Sequence, residues 1–152
     1  MTHMKKNILV VDDSALMRRV MCDIINSDSK FQATDYCRDG LEAYEKLKHT
    51  SYDGVVLDVN MPRMDGLQLL EKLQKEGIRA NVVMVSTLTD SREADVTILA
   101  MERGAIDFVA KPTNIIEAKG EAFKRQLLGV LNAVLATQKA AESVRPAVKP
   151  AA

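Results

Sequence analysis

Five polar side chains stand where apolar runs end. Asp12 and Asp13 follow Asn7–Val11, Asp58 follows Val55–Leu57, Ser86 follows Asn81–Val85 and Lys111 follows Ile106–Ala110. Three carboxylates, a hydroxyl and an ammonium are the groups that phosphoryl transfer to a carboxylate needs. Two like charges ~4 Å apart repel by roughly 4 kcal/mol at an effective dielectric near 20, so converging carboxylates require protons or a cation among them. A hard divalent cation suits oxygen ligands: Mg2+, with Mn2+ as the alternative. Asp13 and Asp58 fit direct ligation, and Asp12 fits a position reached through water. Asp58 keeps an oxygen free to attack phosphorus and form an aspartyl-phosphate. The transfer then needs in-line positioning and neutralised equatorial oxygens, which Lys111 and Ser86 would help provide.

Taken singly, each residue has a plainer role. Asp12 and Asp13 would cap the first helix, and Ser86 would cap a helix or turn. Asp58 would be a loop residue and Lys111 a solvated surface lysine. Their joint placement at four strand ends favours the chemical reading.

The elements that must position them alternate. Ser14 caps a helix over Ala15–Asn26 with Leu16, Val20 and Ile24 on one side. Phe31–Cys37 reads as a less apolar strand, and Asp39-Gly40 turns into a helix with Leu41, Tyr44 and Leu47 inward. The loop Met61–Gly66 leads to a helix bearing Leu67, Leu70 and Leu73. Asp90 or Ser91 caps a helix with Val96, Leu99 and Ala100, which Gly104 stops. A last helix is expected over Glu117–Gln138, with Phe123, Leu127, Leu131 and Val134 at helical spacing. Alternation of this kind implies an α/β fold with a doubly wound, five-stranded parallel sheet and helices on both faces. Near-continuous apolar strands agree, because such a sheet is buried on both sides. All the chemical residues then share the ligand-binding edge.

The 152 residues carry 21 Lys+Arg and 21 Asp+Glu, so no bulk charge points to nucleic acid or a membrane surface. No apolar run approaches the ~20 residues of a membrane span, and a soluble, cytoplasmic protein is expected. Cys22 and Cys37 form no CxxC pair; Cys22 reads as a small buried hydrophobe. Only His3 and His49 are available as imidazoles, and no G-x-S-x-G, G-x-G-x-x-G or G-x-x-x-x-G-K-[ST] occurs. Residues 1–4 read as an N-terminal tail in which Met1–His3 is a candidate cloning remnant. Residues 5–139 read as one domain, and 140–152 as an Ala/Pro/Lys-rich linker-like tail.

The runs Val10-Val-Asp-Asp-Ser14, Leu57-Asp58 with Met61-Pro-Arg-Met-Asp-Gly66, Val85-Ser86 and Lys111-Pro112 together resemble the receiver domain of two-component response regulators. Val83–Thr89 and Gly104–Pro112 are most similar to receivers of the chemotaxis methylesterase kind. The resemblance implies a flavodoxin-like (βα)5 fold with strand order 2-1-3-4-5. It implies that Asp58 accepts a phosphoryl group from the phospho-histidine of a chemotaxis sensor kinase. Asp12, Asp13, Asp58 and the backbone carbonyl of Asn60 would organise the metal, and Ser86 and Lys111 would touch the phosphoryl group.

It further implies a cis Lys111-Pro112 bond. Phe108 would be a switch that moves with Ser86 and alters the surface of the fourth helix, fifth strand and fifth helix. On residue type alone Phe108 is a core aromatic, and repacking accommodates both roles. Asn60 stands where these receivers usually carry Glu, and Leu88 lies two residues past Ser86. Both positions tune the lifetime of the acyl phosphate in the family. Three functions follow as expectations. The first is a regulatory domain joined to a methylesterase output domain. The second is a free-standing receiver, monomeric or weakly dimeric, that signals by binding a partner. The third is a true hydrolase, which the missing nucleophile elbow and the Asn at position 60 disfavour.

Overall fold

Alternate residues of the central strands face opposite ways, and both ways are apolar. In the computed structural model, which describes residues 5–87 and 93–148, Ile8 and Val10 join one buried cluster while Leu9 and Val11 join the other. Val83 and Val85 part from Val82 and Met84 in the same manner. A strand with no polar face must be covered twice, which the helices do.

The strands are β1 (Lys6–Val11), β2 (Phe31–Cys37), β3 (Gly54–Asp58), β4 (Val82–Ser86) and β5 (Ala105–Ala110). They form one parallel sheet in the order β2-β1-β3-β4-β5, as the resemblance implies. The helices are α1 (Ala15–Asn26), α2 (Gly40–His49), α3 (Gly66–Lys75), α4 (Glu93–Glu102), α5 (Ile115–Ala118) and α6 (Glu121–Val148). Met21 and Ile25 of α1 and Phe123, Leu127 and Leu131 of α6 fill one side of the sheet. Tyr44 and Leu47 of α2, Leu69, Leu70 and Leu73 of α3, and Ala100 of α4 fill the other.

Several expectations shift. The last helix divides: Asn114 caps a single turn through Glu117 N–H, and α6 starts afresh after Lys119-Gly120. A cap three residues before Glu117 begins the helix early, and glycine at 120 favours the break. α6 is continuous from Glu121 to Val148. Leu41 and Leu16 point outward, and Ala43 and Met21 take the buried places. Met1–His3, the proposed caps Asp90 and Ser91, and Leu88 lie outside the described residues. Among the described residues no helix is long and apolar enough to cross a membrane.

Candidate functional site

Strand register decides which polar residues meet. Val11 pairs with Leu57, which sets Asp12 beside Asp58 at the ends of β1 and β3. Asp58 pairs with Val85, which places Ser86 one step beyond. Ser86 pairs with Ala110, and the Lys111 N–H donates to the Ser86 carbonyl at 2.8 Å. The first connection leaves β1 toward β2 and the third strand returns on β1's other side. The cluster therefore sits at the switch in strand order, where open α/β sheets place their ligands.

Ligand oxygens of Asp12, Asp13 and Asp58 lie within 4.8 Å of one another. Asp12 and Asp58 are buried and Asp13 is exposed. Lys111 reaches between the buried pair: its Nζ is 2.7 Å from Asp12 Oδ2 and donates to Asp58 Oδ2 at 3.2 Å. The shorter approach makes Lys111 the charge partner of Asp12 Oδ2, which is otherwise buried without a donor. Burial, then the neighbouring charge of Asp12, pushes the Asp58 carboxyl up to about 6, against the pull of Lys111. Burial draws the Lys111 ammonium down, but Asp12 and Asp58 together outweigh it and hold it above its usual value. One ammonium thus bridges two of the three clustered carboxyl groups. Three carboxylates with one ammonium between two of them, in an all-oxygen donor set, fit a hard divalent cation.

Local structure holds these groups in place. Asp12 does not cap α1; Ser14 does, accepting from the Met17 N–H at 3.2 Å. Asp12 instead accepts the Ser14 N–H at 2.8 Å on Oδ1, and its carbonyl accepts from Arg18 Nη1 at 2.8 Å. Behind Asp58, a Cβ at Gly66 would overlap the Asp58 carbonyl oxygen, so only glycine lets α3 start so close to the strand end. Ser86 is buried and Asn60 exposed. Phe108 is half-buried, paired with Met84 and packed against the cluster under α2–α4.

The implied cis Lys111-Pro112 bond is not found: no peptide among the described residues is cis. Trans is the ordinary preference before proline by about 0.5–1 kcal/mol, and from it the ammonium already reaches both buried carboxylates. Cys22 is half-buried, and burial followed by Asp23 raises its thiol, leaving it unactivated. A groove of about 560 Å3 lies at the opposite edge of the sheet, where Ile78, Asn81, Arg103 and Gly104 line it; no member of the carboxylate cluster does.

One pair escaped the sequence reading. Arg63, in the β3–α3 loop, donates from Nε at 2.9 Å to Asp39 Oδ2, and its Nη2 lies 2.8 Å from the same oxygen. The partners are 24 residues apart, and no periodicity or motif links them.

Residues 8–120 match the response regulator receiver domain. The chain belongs to that family. Among curated relatives, the receiver is 45% identical over 124 residues to the protein-glutamate methylesterase/protein-glutamine glutaminase of Pyrococcus horikoshii, covering 82% of this chain and 33% of the relative. It is 44% identical over 147 residues to the protein of the same name from Shigella boydii, covering 95% and 42%. The chain thus spans between a third and about two-fifths of these relatives' length. Among solved structures, the response regulator domain of Thermotoga maritima CheB superposes with a TM-score of 0.72 at 35% identity, covering 86% of this chain and 94% of that one. The CheX-CheY-BeF3-Mg2+ complex of Borrelia burgdorferi gives 0.70 at 29%, covering 85% and 88%. The receiver is of the CheB type within two-component signalling.

Proposed function

We propose that Asp58 is the phosphoacceptor of this receiver and that a chemotaxis sensor kinase supplies the phosphoryl group. A free Asp58 oxygen attacks phosphorus. An O–P bond forms as the N–P bond to the kinase histidine breaks, and the freed imidazole keeps the bond's electron pair and takes a proton. The observation that carries this reading is the buried Asp58 with one oxygen engaged by Lys111, in a cluster of three carboxyl groups with one ammonium.

Asp12, Asp13 and Asp58, with the Asn60 carbonyl, would hold Mg2+, which screens the incoming phosphoryl charge when bound. Lys111 holds its proton throughout and steadies the oxygens of the transferred group, and Ser86 donates to the same group. Phe108, half-buried beside the β4–β5 seam, repacks as Ser86 moves, and the face of α4, β5 and α6 changes with it. That face regulates a methylesterase output domain of the kind named in the relatives; Mn2+ serves in place of Mg2+.

The test uses a small phosphoramidate donor with Mg2+. A single acid-labile phosphoryl group mapped to Asp58 is expected, and labelling elsewhere would overturn the choice. Beryllofluoride with Mg2+ should shift the resonances of Ser86 and Phe108; an unmoved pair would sink the switch.

A further inference from the structure

Arg63 is the one non-glycine residue among those described with a positive φ, at 66°. The Met64 N–H donates to the Pro62 carbonyl at 2.7 Å, closing a three-residue turn around it. A bulky side chain rarely adopts this backbone, and it persists only where surrounding contacts hold it there. Those contacts are visible. Two guanidinium nitrogens converge on Oδ2 of Asp39, a residue only 5% exposed. Asp39 is itself fixed, because its Oδ1 caps α2 by accepting the Glu42 N–H at 2.9 Å. Beside the pair, the Gly40 N–H donates to the Met64 carbonyl at 2.9 Å, and a Cβ at Gly40 would overlap that oxygen. The far end of the loop is closed as well, since the Gly66 N–H donates to the Val59 carbonyl at 2.8 Å.

The segment so restrained begins one residue after Asp58 and contains Asn60. We infer that Arg63 and Asp39 form a latch that positions the β3–α3 loop and thereby sets how tightly the carboxylate cluster holds its divalent cation. The inference rests on the cation reading given above and assigns Arg63 a positioning role, not a catalytic one. Groups that orient metal ligands from behind typically change affinity about 10–100-fold when removed, and strained backbone gathers where such positioning matters.

The test is calorimetric titration of the folded chain with Mg2+ alone, alongside thermal melting without metal. Arg63→Gly removes the guanidinium yet adopts positive φ without strain, so it should fold with a nearly unchanged midpoint. Its Mg2+ dissociation constant should rise about tenfold. Arg63→Lys keeps the charge without the paired nitrogens and should recover part of the affinity. Asp39→Asn retains a capping oxygen but loses the charge, and should weaken Mg2+ as Arg63→Gly does, with the double variant no weaker than either. A parent that binds Mg2+, an Asp58→Asn control that does not, and an Arg63→Gly variant within twofold of the parent would overturn the latch and leave the site reading intact. A parent that binds no Mg2+ would overturn both.

Discussion

Two clusters in this receiver use the same residue types to opposite effect. On β2, Asp35 accepts the Tyr52 hydroxyl at 3.0 Å and the Tyr36 N–H at 2.9 Å, and lies 3.1 Å from Lys46 Nζ. Burial works against that carboxylate, but bonding to Lys46, Tyr36 and Tyr52 prevails and holds it below its ordinary range. At the ends of β1 and β3, Asp12 and Asp58 share Lys111 beside Asp13, and Asp58 is driven the other way, to about 6. The difference is stoichiometry and burial. Asp35 has a cation and two neutral donors to itself at a partly exposed site. Asp58 is buried beside a second carboxylate that competes for the same ammonium. The first cluster is complete as it stands; the second is short of positive charge, which is what the proposed cation would supply.

The contrast breaks most sharply at the proposed phosphoacceptor. Asp58→Asn should abolish labelling by phosphoramidate, while Asp35→Asn should retain a rate within about twofold; mass spectrometry of the intact chain reads both. Next in size is the response to metal. At 100 times its dissociation constant, Mg2+ should stabilise the parent by about 2.7 kcal/mol. The same addition should fully stabilise Asp35→Asn and leave Asp58→Asn nearly unmoved, as denaturant melts with and without metal would show.

Titration sharpens the comparison further. The native state holds the Asp58 proton more tightly than the unfolded chain does. Metal-free stability should therefore be favoured at low pH and fall as pH rises from about 3.8 to about 6. The loss attributable to this group is on the order of 3 kcal/mol, read as the difference between parent and Asp58→Asn. Asp35 runs in reverse: its lowered pKa contributes stability that is full above the ordinary carboxylate value and is lost as pH falls below it, through the lowered folded value. The smallest effect belongs to the exposed rim. Asn60→Glu places a carboxylate where an amide stands and should alter the decay of phosphorylated Asp58 a few-fold, measured by loss of label after the donor is removed. An unchanged rate there and in Leu88→Glu would remove both residues from lifetime control.

Much of this arrangement is legible from residue order. A parallel sheet requires strands apolar on both faces, and Ile8–Val11, Val55–Leu57 and Val82–Val85 are such runs. Because those runs end in polar residues, Asp12, Asp58, Ser86 and Lys111 can be assigned to one edge before any coordinates. What stays illegible depends on tertiary geometry. Leu41 is apolar at a helical position yet faces out, because Ala43, Tyr44 and Leu47 already fill the inner face of α2. The break after Ala118 turns on a cap at Asn114 within an apparently continuous pattern. The trans Lys111-Pro112 bond departs from the family resemblance, which alone had suggested cis. Arg63 carries no local signal at all, since its backbone angle and its partner arise only when the loop meets α2.

Lys111 is fastened twice. Its backbone is tied to the Ser86 carbonyl, and its side chain spans to Asp12 and Asp58. A single residue therefore acts as a tendon across four strand ends: its tip lies between the carboxylates of β1 and β3, while its root is stitched into the β4–β5 seam. The phosphoryl group proposed for Asp58 would therefore change the charge beside a side chain already joined to that seam.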